Sequence, residues 1–364
     1  MRCPTLKELP PPPEGKIGWP WTVESERLPD LMPDGRPWPK ISIVTPNLNS
    51  GEFIEETIRS VLLQGYPSLE YIIIDGESTD NSIEVIKKYE PWLARWVTEA
   101  DGNPAIATNK GFFMATGKML TALSSNDTYL PDAFQSAAGI SCQYKHEGLF
   151  FGDFYFIDKA GGVLETYKGK FLNRRDLIKW WDNVNPAGAC WFFLSAIFFP
   201  GSAIQRIGAM DTAMIRANDY DLLIKLSGEY KCYHINKILA AHRVHDASMS
   251  LMGGYGKLMN ECIAISKKYW GKKVSFSYWY YWISLEKSKW RDRSKKLYNS
   301  AEENWKSKNR FRALQNMTLS MLLFPPRLFN RNCQSIFLHC LLGDKVVNKC
   351  KEFQYFFQEN RLRR

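Results

Sequence analysis

Between Ile41 and Pro131 the chain repeats one pattern. Apolar runs rich in β-branched residues, Ile41–Thr45 and Tyr71–Ile74, each end in a polar turn and then a helix-start signal. Parallel strands that cross over through helices read this way, because a strand buried on both faces is apolar almost without interruption. In open α/β sheets of this kind the ligand sits at the carboxyl ends of the strands. The first strand ends at Thr45-Pro46-Asn47 and the second at Asp75-Gly76-Glu77-Ser78-Thr79-Asp80. A carboxylate at one strand end, beside a polar turn at its neighbour, can hold a base and a ribose. The same residues also make an ordinary β–α turn capped by Asp and Ser.

The remaining pattern fills in the architecture. A helix is predicted over Glu52–Gln64, with Ile54, Ile58, Val61 and Leu62 on one side and Gly65 just beyond its end. Helices follow at Asn81–Tyr89, Pro104–Thr116, Pro131–Tyr144 and Asn218–Leu226. Strands are predicted at Leu93–Val97, Lys118–Leu123, Leu149–Ile157, Val163–Tyr167 and Cys232–Ile238, with one or two buried strands in Ala187–Pro200. The mixed order after residue 145 predicts antiparallel strands added to a parallel sheet. Residues 1–38 are proline-rich, with Pro10–Pro13 in a row, and form an extended arm that either lies along the domain or stays mobile.

Taken in order, the opening strand and turn, EETIRSVLLQGYP, YIIIDGESTDNS, NKGFFMATGKML, SSNDTYLP and the later NDYDLLIKLSGEYKCYHINKILAAHRVHDASMS are far more specific than any one turn. Together they resemble the family 2 glycosyltransferases, whose nucleotide-sugar-binding fold is called GT-A. The resemblance covers roughly residues 40–250. It implies an α/β GT-A domain over 39–250, a proline-rich arm over 1–38, and a basic, aromatic, helical C-terminal region over 251–364.

The resemblance implies inverting transfer of a sugar from a nucleotide-sugar donor to a saccharide hydroxyl, by single displacement with an Asp base. Such chemistry needs a neutralised diphosphate, a proton acceptor and alignment of the two reactants. Matched position by position, Asp219 falls on the base, and Asp221 is a possible support that can pair with Lys225 one helical turn on. Both acids also suit a helix N-terminus through its dipole. Thr45, Pro46, Asn47, Asp75, Ser78, Asn109 and Lys110 fall on nucleotide-binding positions. The acidic metal turn is degraded: Ser124-Ser125-Asn126-Asp127 places Asn126 where the family has its metal-binding Asp. Asp127 is then a metal or diphosphate residue, or simply the cap of the helix starting near Pro131. His245 resembles the family's His-x-x-Ser segment, with Arg243 as a phosphate fork. A divalent cation, Mg²⁺ or Mn²⁺, is implied but weakened, since an amide is a neutral ligand for a hard ion. Ile106 also stands where the family often has an Asp. Trp180, Trp181 and Trp191 are acceptor-side or core residues, and Asp153 matches a Gly-Asp pair of no assigned role.

Composition limits the other classes. The 364 residues carry a net charge of +10, but residues 271–364 hold 20 Lys+Arg against 7 Asp+Glu, so the remainder is close to neutral. No nucleic-acid recognition motif accompanies the basic tail, and nucleic acid is not an expected partner. Apolar segments bordered by Lys and Arg, with Trp and Tyr among them, fit a helix lying at a membrane surface. The same segments also fit an appendage packed on the core. The membrane reading places the protein on the cytoplasmic face, peripheral, within reach of a lipid-linked acceptor. Eight dispersed cysteines without a CxxC pair fit reduced thiols. Two other readings stand beside the transferase: a non-catalytic nucleotide-sugar-binding or scaffold protein, favoured by Asn126, and a nucleotidyltransferase, disfavoured by the lack of a Gly-rich phosphate loop.

Overall fold

Strand β1 (Ile41–Asn47) and strand β2 (Leu69–Asp75) are buried along nearly their whole length because the sheet is covered on both faces. Side chains alternate between those faces. Ile41 and Ile43 of β1, with Leu69, Tyr71 and Ile73 of β2, join one apolar core, and Val44, Ile72 and Ile74 join the other. The computed structural model describes residues 1–169, 174–178 and 193–245, scattered positions within 258–269, and 295–323 apart from 305 and 308. One compact unit runs from Met1 to Tyr269 and a second from Trp270 to Arg364.

The other strands of the first unit are β3 (Arg95–Thr98), β4 (Met119–Ala122), β5 (Thr128–Tyr129), β6 (Leu149–Ile157), β7 (Val163–Tyr167), β8 (Ile197–Pro200) and β9 (Cys232–Arg243). Among the described residues they form a single sheet in the order β3-β2-β1-β4-β8-β6-β9-β5, with β7 beside β6. β1, β2, β3 and β4 are mutually parallel. β8 runs antiparallel to both β4 and β6. This is the mixed α/β sheet that the sequence order predicts. The helices are α1 (Ile54–Leu62), α2 (Ser82–Lys88), α3 (Pro104–Met114), α4 (Ala133–Gln143), α5 (Arg174–Ile178), α6 (Ala203–Ile207) and α7 (Asn218–Glu229). α1, α2 and α4 cover one face, whereas α3, α6 and α7 cover the other. Gly111 lets α3 lie close on β1, since a Cβ there would come within 2.3 Å of Val44.

Two boundaries differ from the sequence pattern in ways that matter for the site. β9 runs on to Arg243 rather than ending at Ile238, because small Ala240 and Ala241 continue the buried face. α4 starts at Ala133, with Asp132 as its N-cap residue, so Asp127 is not that helix's cap.

The proline-rich arm is part of the first unit. Arg59 of α1 is fully buried and donates from Nε to the Pro20 carbonyl, from Nη1 to the Pro10 carbonyl and the Tyr89 hydroxyl, and from Nη2 to the Trp21 carbonyl. Its guanidinium also lies 5.6 Å from the Trp21 ring centroid. Gly65, at φ +61°, admits the arm on the far side of α1, where a Cβ would sit 2.2 Å from the Glu26 carbonyl oxygen. At the other limit the unit extends past residue 250 to Tyr269, because Lys268 and Tyr269 bind Asp221 of α7. In the second unit, α8 (Arg310–Leu323) buries Ala313, Met317 and Met321 at four-residue spacing, beside Ala301.

Candidate active site

The carboxyl ends of β1 and β2 meet in register, Asn47 opposite Asp75. Asp75 is wholly enclosed. Its Oδ1 accepts from Asn47 Nδ2 at 2.6 Å and Ser78 Oγ at 2.5 Å, and its Oδ2 from the Ser78 amide at 3.0 Å and Thr98 Oγ1 at 2.9 Å. Asn47, Asp75 and Ser78 therefore brace the ends of the two strands by bonding one another. Thr45 faces inward and shares a hydrogen bond of 3.1 Å with the Tyr71 hydroxyl. Pro46 is half-buried at the strand end. Asn109 spends both ends of its amide on the Met210 backbone, at 2.9 Å each, and Lys110 pairs with Glu99. The group left titratable at this end is Asp101, whose carboxyl lies beside Gly76. Burial first, then the charges of Asp75 and Glu99, hold its pKa above the usual carboxylate range.

The β1–α1 loop carries the site across to the turn after β4. Asn49 donates its amide to Ser78 Oγ, Ser50 donates its amide to Ser82 Oγ, and Ser125 Oγ bonds Ser50 Oγ at 2.9 Å. Thr57 Oγ1 of α1 then donates to the Asp127 carbonyl at 2.7 Å. The strand ends of β1 and β2 and the Ser124–Asp127 turn are thus one connected region.

Within that turn the roles expected of Asp127 and Arg243 are corrected. Asp127 has no exposed surface, and its Oδ1 accepts from the Arg243 amide at 2.9 Å and faces His242 Nδ1 at 3.0 Å. Arg243 is 1% exposed. Its guanidinium pairs with Glu56 at 3.0 Å, donates to the Asn126, Asp158 and Lys159 carbonyls, and lies over the Phe53 ring. It ties loops together and offers no fork to a phosphate. Asn126 and His245 do meet: the Asn126 side-chain amide is 3.0 Å from His245 Nε2, and the imidazole packs on Phe53.

Asp219 stands in the first turn of α7, half-buried, with Oδ1 accepting the Tyr220 amide at 2.8 Å. Burial pushes its carboxyl up to about 6, against the Tyr220 amide and the His242 charge, which pull it down. A carboxylate of that pKa is matched to proton abstraction near neutral pH. Asp221 points the other way. It is enclosed by Lys225 at 2.7 Å, Lys268 at 3.3 Å and the Tyr269 hydroxyl at 2.7 Å, and so fastens α7 to the end of the unit instead of supporting the base.

His242 is the residue that the sequence motifs passed over. Its side chain is 23% exposed, with Nδ1 3.0 Å from Asp127 and the Phe193 and Phe156 rings against it. Burial opposes the charged imidazole, but the Asp127 carboxylate, by charge and hydrogen bond, and then Asp219, raise its pKa. Period-2 alternation along β9 was the available signal: it puts Arg243 and His242 on opposite faces of the strand. Asp153 accepts from the Gly169 amide and pairs with His234 at 2.7 Å. Trp180, Trp181 and Trp191 lie outside the described residues.

These residues do not fit a tightly held divalent ion. Asp127 turns its carboxylate inward, and beside it the uncharged Asn126 amide lies against the His245 ring. No group of three or more acidic, His or Cys side chains among the described residues is placed to hold a metal. A hard cation here would draw its anionic ligands from a bound diphosphate.

Parts of the chain are similar to known proteins. The sequence model described as Glycosyl transferase family 2 matches residues 42–198. An uncharacterised glycosyltransferase of Mycobacterium tuberculosis is 26% identical over 193 residues, which span 51% of this chain and 68% of the relative. TuaG of Bacillus subtilis, a glycosyltransferase named for teichuronic acid biosynthesis, is 34% identical over 100 residues, 27% of this chain and 40% of its own length. Among solved structures, residues 1–349 of Staphylococcus aureus TarS align over 78% of this chain and 91% of that one, at 14% identity and a TM-score of 0.48.

Proposed function

Since the chain belongs, through residues 42–198, to glycosyl transferase family 2, we propose that it moves a sugar from a nucleotide-sugar donor to a hydroxyl of a saccharide acceptor by single displacement, with Asp219 as the base. The observation that carries this reading is the Asp219 carboxyl, half-buried at the head of α7 and shifted to about 6. The acceptor oxygen bonds the anomeric carbon as its proton passes to Asp219. The bond from that carbon to the diphosphate oxygen breaks, and the nucleoside diphosphate leaves with the electron pair. Configuration inverts, and no enzyme nucleophile is required. Donor contacts are assigned to the strand-end region of Pro46 and Asp101, with the diphosphate near Asn126 and His245.

The TuaG relative, named for teichuronic acid biosynthesis, supports polysaccharide biosynthesis as the setting. We place the enzyme at the cytoplasmic membrane face, docked peripherally through residues 271–364, where a lipid-linked acceptor is concentrated in two dimensions. The excess of basic residues there supports this, as do Phe311, 79% exposed on α8, and the neighbouring Arg312 and Leu319. No helix among the described residues is long and apolar enough to cross a membrane. Of the apolar segments expected to make the contact, Thr318–Phe329 is described only to residue 323, and Ser335–Leu342 lies outside the described residues.

The neutral Asn126 favours a second reading, a nucleotide-sugar-binding protein without turnover. Release of nucleoside diphosphate from UDP-, GDP- and dTDP-sugars, with and without Mn²⁺, separates the two. The transferase reading expects slow donor hydrolysis that accelerates with saccharide acceptor. Binding of nucleotide with no release under any condition supports the second reading instead.

A further inference from the structure

Helix α7 begins without a cap of its own. Its N-cap residue is Ala217, whose side chain cannot accept from the amides that a helix start leaves unpaired. In a capping box a Glu or Gln three residues into the helix reaches back to the N-cap amide. Here that position is Tyr220, and the carboxylate comes instead from 44 residues further along the chain. Glu261 Oε2 accepts from the Ala217 amide at 3.0 Å and from the Arg216 amide at 2.8 Å, and Glu261 Oε1 lies 3.8 Å from Arg216 Nη1. The described residues between 258 and 269 are helical, and that spacing puts Glu261, Ile265 and Lys268 on one face. Cys262 and Ile265 are buried, which fixes the segment in place. Its last residues hold the next carboxylate of α7: the Tyr269 hydroxyl donates to Asp221 Oδ1 at 2.7 Å, and Lys268 Nζ is 3.3 Å from the same oxygen. Asp219 falls between the two attachments, two residues after Ala217 and two before Asp221.

We propose that Glu261 is a positioning residue for the base: it fixes the start of α7 from outside the helix, and so sets where the first turn carries Asp219. The proposal rests on Asp219 being the base. A general base has to lie within hydrogen-bond reach of the proton it takes, and a shift of about 1 Å at a reacting group is enough to lower a rate roughly 10²-fold. An alanine cap leaves the first turn of α7 free to fray, because the helix supplies no side chain to close it. Glu261 closes it from one side, and Lys268 and Tyr269 secure Asp221 one turn of the chain later. All of these residues belong to the unit that ends at Tyr269. Both Asp219 and the segment that holds its turn lie beyond residues 42–198, the part matched by the family model.

The test uses the full chain and two variants. Glu261→Ala removes the acceptor, and Glu261→Gln keeps a side-chain oxygen that can still accept from the two amides. Amide exchange, read by mass spectrometry on peptides spanning 214–222, is expected to show about two more fast-exchanging amides in Glu261→Ala, those of Arg216 and Ala217, with β1 and β2 unchanged. Wild-type protection at 214–222 in that variant overturns the proposal whether or not the chain transfers sugar. Protection lost throughout β1 and β2 makes Glu261 a support of the whole fold and also overturns it. The second arm follows nucleoside diphosphate release from whichever of UDP-N-acetylglucosamine, UDP-glucose and GDP-mannose is consumed fastest. Glu261→Ala is expected to lower kcat roughly 10–100-fold at an unchanged donor KM, and Glu261→Gln to stay within about threefold of wild type. Equal losses in the two variants, or a loss carried by KM, overturn the proposal. Added to Asp219→Asn, Glu261→Ala should cost less than about threefold more, since no base is left to position, and losses that multiply in full overturn it. An Asp219→Asn chain with wild-type turnover refutes the base and with it this role of Glu261. A wild-type chain that shows the two protected amides but consumes no nucleotide sugar upholds the cap and refutes the transferase reading.

Discussion

Replacing Arg59 with Met keeps the length and apolar stem of the side chain and removes its charge and donors. Arg59 makes four hydrogen bonds, three to main-chain carbonyls of Pro10, Pro20 and Trp21 and one to the Tyr89 hydroxyl. Hydrogen bonds to a charged group are worth about 1.5–3 kcal/mol each. The sum is an upper limit, because the arm can lift and its carbonyls rehydrate, and because burying the guanidinium has its own desolvation penalty. The charge goes with the side chain, so what is left is buried acceptors without a donor at about 1–3 kcal/mol each, and with partial rehydration a loss of about 2–4 kcal/mol is expected here. It is a large part of the ~5–15 kcal/mol that holds a domain folded. Urea melts followed by far-UV circular dichroism give the loss from the shift in midpoint. Amide exchange over residues 1–38 shows where it falls, and protection should drop in the arm before it drops in β1 and β2. A loss below about 1 kcal/mol with arm protection intact would mean that the apolar contacts of Leu9, Trp21 and Leu28 hold the arm and that Arg59 is not its clamp.

Asp219→Asn is expected to lower kcat by roughly 10²–10⁴ with little change in nucleotide affinity, measured by steady-state kinetics and calorimetry. Wild-type kcat/KM should fall as pH drops through about 6, where the Asp219 carboxyl takes up its proton. The same raised pKa means that ionised Asp219 weakens the fold at neutral pH, so Asp219→Asn should melt higher than wild type at pH 7 and show no such advantage below pH 4, as differential scanning calorimetry can check. Asn126→Asp should tighten Mn²⁺ binding about tenfold or more by isothermal titration, and unchanged affinity would mean that the turn has been misaligned. Flotation with anionic vesicles at low salt should require residues 271–364 and weaken as salt rises, and equal flotation without them would end the membrane assignment.

The parallel half of the sheet was legible because its signal is local. β1 and β2 carry their burial in their own composition, and the strand–turn–helix order fixes which ends share a cleft. The place of Asp219 in the first turn of a helix was legible through its motif. What the sequence hid were partners remote along the chain. Asp221 looks like a second catalytic acid until Lys268 and Tyr269 close over it. Arg243 looks like a phosphate ligand until Glu56 and three carbonyls absorb its guanidinium. Asp75 reads as a ligand for a base, yet Asn47, Ser78 and Thr98 use both of its oxygens. In each case the residue type was right for a polar role, and only the three-dimensional neighbours decide whether that role faces solvent. The arm shows the same limit, since nothing in a run of prolines reveals that an arginine of α1 will grip it.

The bond from the Arg243 amide to Asp127 spans 116 residues. On a ribosome adding ~5–20 residues per second, Asp127 emerges about 6–23 s before its partner exists. During that interval β1, β2, β3 and β4 can already collapse with their crossover helices, but β5 has no β9 to pair with and the Asp127 carboxylate stays hydrated. The nascent chain therefore passes through a stage with a finished parallel half of the sheet and an unfinished mixed half. Stalling or truncating synthesis between residues 123 and 196 would release a half-built sheet whose β4 edge is bare, since β8 is not yet made, the kind of edge that pairs with other chains.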